Sequence, residues 1–239
     1  MDADEKHVAS LSIGLALTLG LVACGADPTP AANSRPEHRA ARSAFEGGDP
    51  EGTGPERRES EGRELLGTTL PSFGELEWVN SSPLSVDGLR GKVVLIRFWT
   101  ETCPFCRASA PALRELDAHY RDEGLQVIGV YHPKPRGSGR ATATIQEAAE
   151  TLGWPFPVAI DRSWTTIDAL WLGSRTESNA AAAVPNRRYT SASLLADREG
   201  TIRHVHPGPE FHPGGPEDHA RCRADYAELR HHIERLVLE

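Results

Sequence analysis

Cys103-Pro104-Phe105-Cys106 constrains this chain more than any other four residues. An apolar run, Val93-Val94-Leu95-Ile96-Arg97-Phe98-Trp99, precedes it, and a helix-compatible stretch from Arg107 to Arg121 follows. A C-x-x-C that ends a strand and opens a helix sets one sulfur at a helix N-terminus. Unpaired backbone N–H groups and the helix dipole favour a thiolate there, and the thiolate is the species that attacks disulfides. The spacing also lets the second cysteine close a compact disulfide on the first. Two blander uses compete. Structural zinc wants a second such pair or histidines at fixed spacing, and the chain has no second C-x-x-C. A static staple suits a small secreted domain better than a chain of 239 residues. The strand-before, helix-after context points to redox chemistry.

The rest of the chain divides by composition. A hydrophobic content of 38% is enough for one core, and a net charge of −8 argues against nucleic-acid binding. The cysteines are Cys24, Cys103, Cys106 and Cys222, too few for a disulfide scaffold. Val8 to Ala23 is apolar or small, short for a transmembrane helix, and ends in Leu21-Val22-Ala23-Cys24-Gly25. That ending resembles the bacterial lipoprotein cleavage motif, which implies that Cys24 becomes a lipidated first residue. Asp2, Asp4 and Glu5 depart from the basic leader such signals carry, and a plain cleaved signal or an uncleaved anchor is the alternative. Residues 1–24 are therefore expected to be a lipoprotein signal segment. Residues 25–66 are rich in Pro, Gly, Glu, Arg and Ser and are expected to be a disordered tether. The folded domain is expected over 67–239.

Within 67–239 the pattern alternates strand and helix. Short strands are predicted at Glu77–Val79 and Phe156–Ile160, a buried strand at Lys92–Trp99 and another at Leu125–Tyr131. Helices are predicted at Pro104–Asp122, Thr142–Leu152, Trp164–Leu172 and Glu217–Leu238. Ser193–Ala196 and Ile202–His206 flank the turn Asp197-Arg198-Glu199-Gly200. The class is α/β, a central mixed sheet flanked by helices, with an antiparallel hairpin at one edge.

Gly91-Lys92-Val93-Val94-Leu95-Ile96, then Phe98-Trp99-Thr100 and the C-x-x-C, resemble thioredoxin-fold proteins of the TlpA/ResA type. Trp78-Val79-Asn80-Ser81 and the stretch from Arg203 to Gly208 are similar to the thioredoxin-like domain of DipZ-type proteins. The resemblance covers nearly all of 67–239. It implies a thioredoxin fold with an N-terminal extension and thiol–disulfide exchange with protein thiols or disulfides; no cofactor and no metal are expected. It also implies a bacterial extracytoplasmic setting, which agrees with a lipid anchor in the cell envelope. Cys103 matches the family's nucleophile and Cys106 its resolving thiol, while Pro111 matches the proline inside the active-site helix. Trp99, Pro104 and Phe105 are expected to flank the sulfurs and meet substrate, with a plain core tryptophan the equal alternative for Trp99. Thr190 and Ser191 are expected to do so from the opposite side.

Two positions break the family pattern. Where thioredoxins commonly bury an Asp that accepts the resolving thiol's proton, this chain has Arg97. Arg97 either favours thiolates from behind the sulfurs, or reaches the surface or pairs with an acid such as Asp161. Where the family places a cis-proline, counting back from Asp197 gives Ser191, whose peptide bond is expected to be trans. The segment 173–188 precedes it as an additional insert. His204, His206, His212 and Glu210 are expected to be a polar strand end rather than a metal site, and Cys222 a free thiol. These departures sustain one alternative function, a non-catalytic thioredoxin-fold binding lipoprotein or copper chaperone.

Overall fold

The computed structural model describes residues 61–173 and 187–239. Their elements run β1 (Glu77–Val79), β2 (Val93–Trp99), α1 (Pro104–Tyr120), β3 (Leu125–Tyr131), α2 (Thr142–Thr151), β4 (Val158–Ile160), α3 (Thr165–Ile167), β5 (Ser193–Ala196), β6 (Ile202–His206) and α4 (Ala220–Leu238). A π-helical turn, Asp168–Leu172, prolongs α3, and a short 3₁₀ turn, Glu217–His219, leads into α4. Cys24, the expected signal, most of the expected tether and most of the 173–188 insert lie outside the described residues. Among the described residues no helix is long and apolar enough to cross a membrane.

The strands form one sheet in the order β1-β4-β3-β2-β5-β6. β2, β3 and β4 are parallel, and β1, β5 and β6 join them antiparallel. All seven residues of β2 are buried, because helices cover both faces of a central parallel strand. The period of two then sorts its side chains. Val93, Leu95 and Trp99 join Val127 and Tyr131 against Leu113 and Leu116 of α1, Ile145 of α2 and Leu229 and Ile233 of α4. Val94, Ile96 and Phe98 join Ile128, Val130 and Leu194 against Ile167, Leu170 and Trp171 on the other face. Arg97 falls by parity on the first face, between Leu95 and Trp99.

The hairpin turn is built as its sequence suggests. Asp197 Oδ1 accepts N–H bonds from Glu199 (3.0 Å) and Thr201 (2.8 Å), and Gly200 takes φ 77°. At the other end packing extends ahead of the expected boundary at 67. Leu65 packs against the second face, and a Cβ at Gly62 would lie 2.7 Å from Val205 Cγ1. Glu64 pairs with Arg187. The last six residues assigned to the tether, 61–66, therefore belong with the packed domain.

Candidate active site

The order β2–α1 places Cys103 where sequence logic put it. Cys103 is the N-cap of α1, with extended backbone angles (φ −75°, ψ 113°), and Pro104 opens the helix. The Cys106 N–H donates to Cys103 Sγ at 3.2 Å, so the sulfur satisfies one of the helix's unpaired donors. Cys103 is half-buried, Cys106 is 1% exposed, and both thiols are free. Pro111 lies inside α1, which nevertheless continues to Tyr120.

The two thiols are driven apart electrically. A hydrogen bond with the Cys106 side chain lowers the Cys103 pKa from 9.0 to about 6, against a burial penalty and with help from the Arg97 charge, the Cys106 N–H and Lys134. Burial pushes the Cys106 thiol well up, and its bond to Cys103 adds to this. One sulfur is a thiolate at neutral pH and the other a protonated thiol held behind it.

Arg97 stands behind both. It is fully buried, so a surface-reaching side chain is excluded. Pairing with Asp161 is excluded as well: Asp161 accepts the Ile167 N–H at 2.9 Å and the Ser163 hydroxyl at 3.4 Å. Instead Nη1 donates to Ser193 Oγ (3.2 Å), Nη2 donates to the Pro209 carbonyl (2.8 Å), and the guanidinium lies 5.3 Å from the Phe211 ring centroid. Its Nε has no partner among the described residues. The hydrogen bonds that Arg97 donates thus all go to neutral oxygens, which leaves its charge to act on the sulfurs. Central position in a strand buried on both faces was the sequence signal for this burial.

The remaining expected site residues divide. Pro104 is exposed and Phe105 half-buried. The Phe105 ring meets Tyr189 edge-on at 5.7 Å, which joins the start of α1 to the half-buried Thr190 and buried Ser191. The peptide before Ser191 is trans, and Ser191 Oγ donates to the same Pro209 carbonyl that Arg97 uses, at 3.3 Å. Trp99 is a correction. It is fully buried, with Tyr131 (5.2 Å) and Trp154 (4.9 Å) edge-on to it, so it supports the sulfurs from the core and offers no surface to substrate.

Sequence reasoning missed three contributors. Pro209 and Phe211 form the wall behind Arg97, and the Phe211 N–H donates to Ser109 Oγ on α1 at 3.1 Å. Glu101 sits two residues before Cys103, accepts from Thr100 (2.7 Å) and Tyr131 (2.9 Å), and pairs with Arg140 at 2.8 Å. Burial pushes its carboxyl up, but these bonds and the Arg140 charge bring it below the usual range. The four polar residues expected as one strand end separate. His206 pairs with Asp225 (3.2 Å) and His204 stacks on His232 (4.5 Å), whereas Glu210 and His212 turn away to a different group.

The Redoxin family model matches residues 65–220, more than half of the chain. The chain belongs to the Redoxin family. Protein DipZ of Mycobacterium bovis is 32% identical over 145 residues, which is 59% of this chain but 19% of that protein. Thiol-disulfide oxidoreductase ResA of Halalkalibacterium halodurans is 26% identical over 133 residues, 56% of this chain and 64% of that protein. The chain thus spans about a fifth of one relative and under two thirds of the other. Among solved structures, one assigned as a thiol:disulfide interchange protein DsbE from Chlorobium tepidum superposes with a TM-score of 0.52 at 23% identity, covering 72% of this chain and 97% of that one. This redoxin has a thioredoxin-like fold, as the resemblance implied.

Proposed function

We propose that this redoxin is an extracytoplasmic thiol–disulfide oxidoreductase that exchanges its Cys103–Cys106 dithiol or disulfide with protein thiols or disulfides. The observation that carries the reading is the division of labour between the sulfurs: a half-buried N-cap thiolate at Cys103 and a buried, protonated Cys106 one turn inside. The Cys103 thiolate attacks one sulfur of a substrate disulfide. That S–S bond breaks, the departing sulfur leaves as a thiolate, and a Cys103 mixed disulfide forms. Cys106 then loses its proton and attacks Cys103 Sγ. The mixed disulfide breaks, the second substrate thiolate leaves, and two electrons have passed from the dithiol to the substrate. Arg97 has no acceptor site, so the Cys106 proton goes to water or to the departing sulfur. The reverse sequence oxidises a substrate dithiol. Names of relatives such as thiol-disulfide oxidoreductase ResA support this chemistry. Leu21-Val22-Ala23-Cys24-Gly25 supports attachment to a bacterial envelope membrane through a lipid on Cys24.

The test is trapping. Cys106→Ser should accumulate mixed disulfides on Cys103 with envelope proteins, and Cys103→Ser should neither trap nor exchange. If Cys106→Ser traps nothing and Cys103 resists alkylation at neutral pH, the assignment fails.

A further inference from the structure

The loop after β6 returns to the start of α4, and there it gathers a second set of reactive side chains. Glu210, His212, His219 and Cys222 each offer one ligand atom, all within 4.8 Å of one another, and all four residues are half-buried. His212 Nε2 and His219 Nδ1 are 3.0 Å apart, Cys222 Sγ and Glu210 Oε1 3.8 Å, and His219 Nδ1 and Glu210 Oε1 4.0 Å. Four ligands at zinc distances of about 2.0–2.3 Å in a tetrahedron stand about 3.3–3.8 Å from one another. The observed separations bracket that edge length.

The surroundings prepare the ligands. His212 Nδ1 bonds to the Gly214 carbonyl, which can only accept, so Nδ1 carries the proton and Nε2 presents its lone pair to the group. This is the outer-shell arrangement that fixes the tautomer of a metal-binding histidine. The His212 N–H donates to the Cys222 carbonyl at 3.3 Å, which fastens the loop to the helix beside the ligands. Gly215 adopts φ +108°, and a Cβ there would lie 2.9 Å from His212 Cε1 and 3.5 Å from His219 Nδ1. The turn therefore needs a glycine both for its backbone and for room at the histidines. One thiolate, two imidazoles and one carboxylate are a donor set that suits zinc.

We propose that Glu210, His212, His219 and Cys222 form a structural zinc site that staples the loop after β6 to the N-terminal turn of α4. The site is separate from the dithiol, yet Glu210 and His212 flank Phe211, and Pro209 precedes them. The ion thereby holds in place the carbonyl and the ring that seat Arg97 behind the sulfurs. The other histidine group, His204, Glu228 and His232, plays no part in it.

Zinc binding separates this proposal from the exchange chemistry if the dithiol is removed. The untagged full chain carrying Cys103→Ser and Cys106→Ser, and the wild-type chain with that pair oxidised, are loaded with Zn²⁺, dialysed and assayed by elemental analysis. Each should retain one zinc per chain. On the Cys103→Ser/Cys106→Ser background, His219→Ala and Cys222→Ser should each weaken binding by at least about 100-fold, more than loss of an outer-shell partner costs. His232→Ala should leave it unchanged. Co²⁺ in place of zinc reads the intact ligand set without relying on any ligand variant: a tetrahedral spectrum with a thiolate-to-cobalt band is expected. Absence of retained zinc from both dithiol-blocked chains overturns the proposal. So does retention that survives Cys222→Ser, or a cobalt spectrum that is octahedral and lacks the thiolate band.

Discussion

Replacing Arg97 by Met removes a buried charge while keeping nearly the same length of side chain. The Cys106 hydrogen bond, the largest cause of the low Cys103 pKa, remains, and so does the helix N-terminus. The shift should therefore be partial: about one unit upward, the low end of what a nearby opposite charge produces, because the Arg97 charge ranks below the hydrogen bond among the causes. With a pKa of about 6, roughly 90% of Cys103 is thiolate at pH 7 and about 9% at pH 5. One unit higher, those fractions become about 50% and about 1%. The remaining thiolate is also more nucleophilic, by about threefold for one unit. The variant should then react about threefold more slowly than wild type at pH 5 and about threefold faster on the high-pH plateau, so the two rate profiles cross. Iodoacetamide alkylation of the reduced protein between pH 4 and 9, with the modified cysteine identified by mass spectrometry, reads the midpoint directly. Arg97→Lys keeps the charge and should keep the midpoint near 6. A wild-type midpoint near 8.5, or a folded Arg97→Met protein whose midpoint has not moved, would refute the reasoning.

Other consequences are simpler to read. Because Trp99 is fully buried, Trp99→Phe should lower thermal stability and leave KM for a disulfide substrate within about twofold, whereas Phe105→Ala should raise KM with little effect on stability. Leu113, fully buried between α1 and the sheet, should cost about 2–5 kcal/mol when replaced by Ala, seen as a lower midpoint in urea unfolding with unchanged slope. Expressed in a bacterium, the chain should partition into a detergent phase, and Cys24→Ala should abolish lipidation; recovery of wild type only as unlipidated soluble protein would exclude the anchor.

Most of the fold was legible because it is written in local pattern. The continuous apolar run of β2 announced a strand buried on both faces, and Leu125–Tyr131, Ser193–Ala196 and Ile202–His206 carry their bounds in their residues. The cysteine half of the site was legible for the same reason: Cys103, Pro104 and Cys106 are neighbours in sequence and remain so on one helical turn. Trp99 read two ways, as a wall beside the sulfurs or as a core residue, since closeness in sequence to Cys103 says nothing about which face of a strand a side chain takes. Its parity with Leu95 and Val93 was the better guide. The back wall was not legible, because Arg97 meets Ser193, Pro209 and Phe211 only after the chain has crossed the sheet and returned. The same is true of Glu210, His212, His219 and Cys222, whose spacing matches no familiar metal motif and which a tight loop and one helix bring together. The packing ahead of 67 had a faint signal in Leu65, an apolar residue at the end of an otherwise polar stretch.

The reduction potential of the Cys103–Cys106 pair as a function of pH bears most directly on the central claim, that one N-cap thiolate and one buried thiol form an exchanging couple. Equilibrating the protein against glutathione buffers and quantifying the Cys103–Cys106 disulfide gives it. At pH 7 the expected value lies between about −250 and −150 mV, above thioredoxin because Cys103 and Arg97 stabilise the reduced form and below the strongest oxidants because Phe105 adds no charge. Two protons accompany the two electrons below pH 6, a slope of about −59 mV per pH unit. Above it Cys103 is already ionised and the slope should halve to about −30 mV. A pair that never closes in these buffers, or one that holds the steeper slope unbroken to pH 8, would contradict the account.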